Sequence, residues 1–334
     1  MNYFCTLFDS NYLSRGLALL ESLEATTGAF HLFVVAFDSA CFEVLQSIGN
    51  KNISVISLNE FEDEALLQVK PTRTKGEYCW TCTPSLVLFC LKNFNLKECT
   101  YLDADLYFFS DPQQLLDEVT DQQSVLITEH RYTPEYDQTL ISGKYCVQFM
   151  TFKNSTDGLF ILEWWREKCI EWCFARIEDG KLGDQKYLDG WLEKFPNVHE
   201  LAHLGGGMAP WNIQQYEISM KDNKLFAREK NKKSTFDVVF YHFHALKFLT
   251  ADTVDFGGYK LDKNILMYIY RPYCLHLEKI KEKIIAAGRK IDVHGQNLTK
   301  KTPFQKIIFF FKRLLKNNMN VFSIKKIRVN KWPI

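Results

Sequence analysis

The sequence has 334 residues, 46% of them hydrophobic and 15% aromatic, which excludes a disordered chain and allows a large buried core. The net charge of +1 hides an asymmetry: residues 293–334 contain ten Lys or Arg and no Asp or Glu, whereas residues 1–292 contain 31 basic and 40 acidic residues. The sequence contains no apolar run of about 18 residues, so it predicts no membrane-spanning helix.

The ten cysteines are scattered, and several lie in apolar runs such as those around Cys5 and Cys90. The lone Cys-x-x-C at 79–82 lacks the second pair or the histidines that a zinc site needs. We therefore expect reduced thiols and a cytoplasmic protein. The N-terminus resembles a strand rather than a secretory signal peptide.

The first sixty residues alternate between strand and helix patterns. Strands are predicted at 3–8, 31–37 and 53–56, and helices from Tyr12 to near Gly28 and over 40–48. This alternation predicts an α/β fold with a doubly wound, mostly parallel sheet, in which ligands bind beyond the carboxyl ends of strands. No glycine-rich phosphate motif follows the first strand, which disfavours dinucleotide-binding and P-loop proteins.

Residues 100–109 carry the most informative motif. The segment is apolar and aromatic and predicts one buried strand. Because strand side chains alternate, Asp103 and Asp105 would point to the same side, about 7 Å apart. Two such charges in an apolar strand require a cation, and oxygen ligands favour Mg²⁺ or Mn²⁺. The alternative is a solvated strand end with two surface aspartates.

Tyr-Leu-Asp-Ala-Asp-Leu at 101–106 resembles the Asp-x-Asp motif of GT-A-fold glycosyltransferases, in particular the family 8-like group of retaining galactosyl and glucosyl transferases. In that family the motif holds the metal that bridges the two phosphates of a nucleotide-sugar donor. The resemblance implies a GT-A (Rossmann-like) catalytic domain over 1–250 and a helical appendage with a basic amphipathic tail over 251–334. It also implies Mn²⁺ or Mg²⁺ as cofactor.

Asp9-Ser10-Asn11-Tyr12 resembles the segment of that family that cradles uracil and ribose. Asp9, Asn11 and Tyr12, together with Thr6 on the preceding strand, are therefore candidate donor-binding residues. Tyr12 can stack on a base, and the polar side chains can bond its edge or the ribose. The alternative is an ordinary helix N-cap at Asp9 or Asn11.

Asp184-Gln185 resembles the segment that borders the donor sugar. A polar group there would face the anomeric carbon, whose transition state resembles an oxocarbenium ion, so Asp184 and Gln185 are the candidate catalytic residues. The alternative is that Asp184 only caps a helix.

Residues 238–247 predict a strand that delivers His242 and His244 to one face. The segment resembles the family's His-Phe-x-Gly-x-x-Lys ending. The resemblance implies that His242 is the third metal ligand and that Lys247 contacts the diphosphate. The sequence departs from the family at Cys146, where the pattern usually has Asn, and at His244 and Ala245.

Two further patterns bear on the site. The tryptophans at 164, 165 and 172 form a stripe that we interpret as core rather than as a sugar platform. Gly205-Gly206-Gly207 predicts a loop whose backbone can approach a ligand closely.

The tail has its own pattern. Thr302-Pro303 predicts a helix start, and an apolar stripe from Phe304 to Leu315 with flanking basic residues is typical of a helix in a membrane interface. The cationic surface would be extended by Lys325, Lys326, Arg328, Lys331 and Trp332. The alternative is that the stripe packs on the catalytic domain.

The resemblance implies a metal-dependent hexosyltransferase that uses a UDP-sugar and a glycan or lipid-linked acceptor in bacterial surface polysaccharide synthesis. The basic tail suggests peripheral contact with the inner face of the membrane. No nucleic-acid partner is expected. One alternative is a haloacid-dehalogenase-type phosphatase, whose Asp-x-Asp normally opens the chain and is followed by Thr or Val where Tyr107 stands. Another is a catalytically silent sugar- or membrane-binding protein.

Overall fold

A computed structural model of the chain describes residues 1–296, 320–329 and Trp332. The strands are β1 (Asn2–Phe8), β2 (Phe30–Ala36), β3 (Ile53–Ser57), β4 (Glu98–Leu102), β5 (Leu106–Phe108), β6 (Val125–Glu129), β7 (Tyr145–Lys153), β8 (Val198–Glu200), β9 (Tyr216–Lys221), β10 (Lys224–Glu229), β11 (Thr235–Asp237), β12 (Phe240–His242), β13 (Lys247–Thr250), β14 (Thr253–Asp255) and β15 (Val321–Ser323). The α-helices are α1 (Leu13–Thr26), α2 (Ser39–Ile48), α3 (Leu58–Phe61), α4 (Glu64–Val69), α5 (Lys75–Asn93), α6 (Gln113–Leu116), α7 (Thr139–Ser142), α8 (Thr156–Glu171), α9 (Trp191–Lys194), α10 (Lys263–Ile265), α11 (Arg271–Ala286) and α12 (Ile324–Ile327).

Seven strands form the central sheet, in the order β3-β2-β1-β4-β7-β6-β8. Only β7 runs antiparallel to its neighbours β4 and β6, and the other pairs in this sheet are parallel. The predicted strands and helices of the first sixty residues are confirmed to within two residues at most ends. The predicted α/β class with a mostly parallel sheet is therefore confirmed.

Both faces of this sheet are buried, as β1 illustrates. Phe4 and Phe8 belong to the core that includes α1 and α11, whereas Cys5 and Leu7 belong to the core that includes α5 and α8. The period of two along β1 thus directs alternate side chains into two helical layers. Of the three tryptophans interpreted as core, Trp165 is fully buried in the second layer, Trp164 packs against that layer, and Trp172 just after α8 is 7% exposed, so the interpretation is confirmed.

The space beyond the carboxyl ends of β1 and β4, where the strand order reverses, is called the crevice below. From β1 the chain crosses to β2 on one side, while β4 lies parallel to β1 on the other side. The connections after β1 and β4 therefore diverge, and ligands of open α/β sheets bind at this switch point. Asp9 follows β1 and Asp103 follows β4 at the same edge of the sheet.

The prediction of one strand over 100–109 is wrong. β4 ends at Leu102, and Asp103 to Asp105 form a turn in which the Leu106 amide donates to the Asp103 carbonyl (3.1 Å). β5 then leaves the central sheet and pairs with β12 in a separate two-stranded sheet. The turn lets the chain change sheets, and it frees both carboxylates from the strand alternation on which the prediction relied.

The segment after residue 250 shares the core of the rest of the chain. The β13–β14 hairpin crosses this position, β15 pairs with β14, and α11 packs against α1. Ile324, Ile327 and Trp332 are buried in the same core as α1. The boundary after residue 250 stays a prediction about domain organisation.

The predicted interfacial helix over 302–316 lies outside the described residues. Two of the residues expected to extend its cationic surface have partners within the described residues. Trp332 is only 5% exposed and packs on Phe256 and Phe322, so it does not extend that surface. Arg328 is exposed, but its charge is paired with Glu282 (2.6 Å) and Glu278 (3.3 Å) of α11.

Across the described ranges, no helix has both the length and the hydropathy that a bilayer crossing demands. The ten cysteines are free thiols, as expected for reduced cysteines.

Buried Glu278 on α11 is the centre of a charge network that holds the C-terminal part in place. It accepts hydrogen bonds from Lys281 Nζ (2.6 Å) and from His294 Nε2 (3.0 Å). Burial raises the pKa of Glu278, but the bonds from His294 and Lys281 outweigh it and lower that pKa to about 2. The folded chain therefore holds this carboxylate ionised at pH values where the unfolded chain protonates it, so Glu278 stabilises the fold most strongly above its ordinary pKa of 4.5.

We expect Glu278→Gln to lower the free energy of unfolding by about 2 kcal/mol at pH 7, because charged hydrogen bonds become neutral ones. The difference from the unsubstituted chain should shrink as the pH falls from 4.5 towards 2, where Glu278 becomes protonated in both states. Denaturant unfolding at several pH values measures both effects. The control is Glu282→Gln on the exposed side of the same helix, which should change stability by less than about 0.5 kcal/mol. A pH-independent difference for Glu278→Gln would contradict the prediction.

Candidate active site

Two carboxylates lie in the turn after β4. Backbone hydrogen bonds fix this turn: the Asp103 amide donates to the Gln148 carbonyl, and the Phe243 amide donates to the Asp105 carbonyl, both at 3.0 Å. The Tyr101 hydroxyl donates to Asp103 Oδ1 (3.0 Å). The Asp103 side chain is 29% exposed and that of Asp105 is 14% exposed, so both border the crevice.

The imidazole of His242 faces these carboxylates. Antiparallel pairing of β12 with β5 places His242 opposite Leu106, next to the turn. Its Nε2 lies 3.1 Å from Asp105 Oδ1 and 3.8 Å from Asp103 Oδ2. Its Nδ1–H donates to Gln148 Oε1 (2.9 Å), and this bond leaves Nε2 directed at the carboxylates. An imidazole held in this way is oriented as a metal ligand would be.

The electrostatics of the group favour a cation. Burial raises the pKa of Asp103, and the charge of Asp105 adds to this effect. Burial lowers the pKa of His242, but the charges of Asp105 and Asp103 outweigh it and raise that pKa well above its usual value. Within the described part of the chain, neither aspartate pairs with a Lys or Arg. Two carboxylates and one oriented imidazole therefore fit a divalent cation.

Cys146 on β7 is the fourth group at this place. It is 5% exposed, and its Sγ, an Asp103 oxygen and a His242 nitrogen all lie within 4.8 Å of one another. The sequence marked Cys146 only as a departure from a family pattern and assigned it no role.

The turn after β1 is tied by Asp9. Its Oδ1 accepts from the Tyr12 amide (3.2 Å), its Oδ2 accepts from Asn11 Nδ2 (2.9 Å), and it pairs with Lys75. Asp9 is thus the N-cap that the alternative interpretation described. Tyr12 is 43% exposed, and burial of its phenol, with the nearby charge of Asp105, raises its pKa to about 12. The Tyr12 phenol therefore lies near the carboxylate turn.

Arg15 is a structural residue of the crevice that sequence reasoning missed. It is 3% exposed and donates to the carbonyls of Asn11 (3.3 Å), His294 (3.1 Å) and Leu246 (3.1 Å). Its guanidinium lies 4.5 Å from the centre of the Tyr12 ring. An arginine in the first turn of a helix carries no sequence signal here, because two of its three acceptors, on Leu246 and His294, come from distant parts of the chain.

The other two predicted donor-binding residues occupy different environments. Thr6 is fully buried, and its hydroxyl has no hydrogen-bond partner among the described residues. Lys247 is exposed at the start of β13. β12 ends at His242, so His244 lies beyond the strand, yet both rings contact Trp211, with centroids 5.3 and 5.4 Å away. The two histidines share one side because Trp211 lies against both of them, although the predicted strand does not reach His244.

Asp184 lies close to the carboxylate turn. It is 6% exposed, and burial together with the charge of Asp103 raises its pKa to about 7, opposed by a hydrogen bond with Thr83. Its side chain caps no helix, in contrast to the capping alternative. Gln185 is turned towards α7, where its Nε2 donates to the Ser142 carbonyl (2.8 Å).

Comparisons with known proteins agree with this geometry. No family model matches the chain. It is 30% identical to the uncharacterized protein YfnD of Bacillus subtilis over 294 residues, which cover 85% of this chain and 91% of YfnD. It is also 31% identical to the uncharacterized protein YfnF of the same organism over 258 residues, which cover 75% of this chain and 84% of YfnF. The chain belongs to the family of YfnD.

The fold is that of GT-A glycosyltransferases. A crystal structure of the galactosyltransferase LgtC, in complex with donor and acceptor sugar analogs, is similar with a TM-score of 0.50 and 13% identity. The match covers 84% of this chain and 96% of that structure. The predicted GT-A fold is therefore confirmed for this member of the YfnD family.

The glycine loop of this YfnD-family chain packs closely against other protein segments. A Cβ on Gly205 would lie 1.9 Å from the Asp237 carbonyl oxygen, and one on Gly206 would lie 2.6 Å from a Leu201 methyl. Gly207 has a φ of +88°. The glycines are thus required by packing between protein segments, and this packing accounts for them without a ligand.

We expect Gln148→Leu to weaken divalent metal binding by about 10- to 100-fold, because His242 loses the acceptor that fixes its orientation. Gln148→Glu keeps an acceptor oxygen at the same place and should lose less. Calorimetric titration of Mn²⁺ into each variant, with thermal unfolding as a check of folding, measures the effect. Equal Mn²⁺ affinities for Gln148→Leu and the unsubstituted chain would refute the positioning role.

Proposed function

We propose that this protein is a metal-dependent glycosyltransferase that moves a hexose from a UDP-sugar to a glycan or lipid-linked acceptor. The observation that carries the proposal is the meeting of Asp103, Asp105 and His242 at the switch point of a GT-A sheet, beside the turn that presents Tyr12. A nucleotide diphosphate combines a base, which an aromatic ring can stack on, with phosphates that a divalent cation can bind.

Asp103, Asp105 and His242 would hold Mn²⁺ or Mg²⁺. The bound cation would act as a Lewis acid towards the leaving diphosphate. Gln148 keeps His242 Nε2 directed at the carboxylates, so this chain presents its ligands in advance. Lys247 is exposed on the strand that follows His244, and we propose that it contacts the diphosphate.

The nucleoside would occupy the β1 turn. LgtC, whose crystal structure contains donor and acceptor sugar analogs, shares this fold. The exposed face of Tyr12 offers a stacking surface for the base, while Arg15 supports the other part of the ring. Asp9 and Asn11 present carboxylate and amide groups for the base edge or the ribose, and Thr6 lies on the strand below them.

The sugar would lie between the carboxylate turn and Asp184. This carboxyl has a pKa of about 7 because it is buried near Asp103, so both of its protonation states are accessible near neutral pH. As a carboxylate it can stabilise positive charge at the anomeric carbon, and as an acid it can donate to a sugar hydroxyl. Gln185, whose amide donates to the Ser142 carbonyl at the end of α7, would line the same side of the sugar site.

The phosphatase alternative is disfavoured by topology. Its motif normally opens the chain, whereas Asp103 here follows β4 of a GT-A sheet. A catalytically silent binding protein would have the same geometry, so only a measurement of turnover distinguishes it from an enzyme. Roles in surface polysaccharide synthesis, a cytoplasmic location and membrane contact through residues 302–316 stay predictions.

We expect Asp105→Asn to weaken UDP binding in the presence of Mn²⁺ by about 100-fold or more, because one ligand charge is lost. UDP binding without metal should change little. Isothermal calorimetry with and without Mn²⁺ measures the two affinities. The control is Asp111→Asn, which changes an exposed aspartate just after β5. This variant should bind UDP like the unsubstituted chain. If Asp105→Asn keeps full metal-dependent UDP affinity, the proposed site is wrong.

Asp184→Asn should lower the rate of UDP-sugar cleavage by about 100-fold, because the variant cannot carry a negative charge near the anomeric carbon. Its UDP affinity should stay within about threefold, since Asp184 is assigned to the sugar. UDP release from a panel of UDP-sugars, to water or to added glycan acceptors, gives the rate. Absence of any turnover in the unsubstituted chain, with intact UDP binding, would support the silent binding protein instead.

A further inference from the structure

The group of side chains around His242 contains a donor of a different chemical kind. Cys146 Sγ lies within 4.8 Å of both an Asp103 oxygen and a His242 nitrogen. The cysteine is 5% exposed and forms no disulfide, and it lies on the strand that also carries Gln148. A carboxylate, an imidazole and a thiol therefore converge on one point from β4, β12 and β7.

The orientation of His242 is the second observation. Its Nδ1–H is committed to Gln148 Oε1 at 2.9 Å, so Nε2 is the nitrogen that faces the cluster. The ring edge of Trp211 packs against the imidazole, with the centroids 5.3 Å apart. Cysteine, histidine and aspartate in such a pocket need only small side-chain adjustments to bring their donor atoms within bonding distance of one ion.

We propose that Cys146 is a further ligand of the metal site, and that its sulfur makes this site select Zn²⁺ or Co²⁺ over Mg²⁺. Thiolate ligands favour softer ions, whereas sites made only of carboxylate and water oxygens suit Mg²⁺, Ca²⁺ and Mn²⁺. On binding, the thiol of Cys146 releases its proton to solvent as the sulfur–metal bond forms. The inference rests on the proposed function only in placing a divalent cation at this site, and it revises the ion named there, because a site with a thiolate ligand prefers Zn²⁺ or Co²⁺ to Mg²⁺.

One other thiol group has to be distinguished from this one. Cys5, Cys90 and Cys99 also lie within 4.8 Å of one another, but all three are fully buried in the core between the sheet and α5. No carboxylate or imidazole belongs to that group in the described part of the chain. This cysteine group could also supply a thiolate to an added metal ion, so the experiment must show whether the bound sulfur belongs to Cys146.

The experiment adds Co²⁺ to the metal-free full-length protein without nucleotide and records near-ultraviolet absorption, where thiolate-to-cobalt charge transfer appears. We expect a charge-transfer band that Cys146→Asn removes and that the control Cys79→Ser, on partly exposed α5, retains. Zn²⁺ affinity of Cys146→Asn should fall by about 10-fold or more, while its Mg²⁺ affinity should change by less than about threefold. Circular dichroism checks that each variant is folded.

A band that persists in Cys146→Asn would assign the sulfur ligand to another cysteine and overturn the proposal. Unchanged Zn²⁺ affinity would do the same. If Cys146→Asn does not fold, X-ray absorption of the zinc-loaded unsubstituted protein decides, because a Zn–S distance of about 2.3 Å is diagnostic and its absence overturns the assignment. Failure of UDP to bind would count against the proposed function alone, since the cobalt band is measured without it.

Discussion

The pairing of β5 with β12 is the contact on which the candidate site depends. It joins two short strands that are far apart in the sequence, and its register places His242 opposite Leu106. Asp105, immediately before that position, is thereby brought to 3.1 Å from the imidazole. A shift of one residue in this register would direct the side chain of His242 to the other face. Two backbone hydrogen bonds fix this register. The Phe243 amide donates to the Asp105 carbonyl, and the His242 amide donates to the Met208 carbonyl.

The same pocket imposes a charge constraint. The carboxylates of Asp103 and Asp105 repel each other. A third, Asp184, lies near enough to Asp103 for the pKa of Asp184 to rise. Burial strengthens that repulsion because the local dielectric constant is low. Positive charge from His242 relieves part of it, and a divalent cation would relieve more. This repulsion therefore destabilises the crevice when no cation is bound. Any cation that its donors can reach would stabilise it.

The sequence predicted the layout better than the local geometry. Hydrophobic periodicity located β1, β2, β3, α1 and α2, because burial on one or two faces leaves a direct mark on residue spacing. The Asp-x-Asp turn was mistaken for strand, since the aromatic residues around Asp103 and Asp105 are buried in either conformation. Gln148 and Arg15 were missed because their partners lie on other elements. Such long-range hydrogen bonds leave no periodic pattern in either segment.

The C-terminal part is coupled to the turn after β1. The Val293 carbonyl accepts from the Ser14 amide (3.0 Å), and the His294 carbonyl accepts from Arg15 (3.1 Å). Gly295 packs so closely on the β1 turn that a Cβ there would lie 2.7 Å from Asn11 Cβ. His294 also stacks on Phe248 and bonds Glu278, so the same short loop contacts α11, β13 and the turn that carries Tyr12. A ligand that moves Asn11 or Tyr12 must therefore move this loop or be limited by it, which makes the segment after β13 part of the binding site's mechanical support.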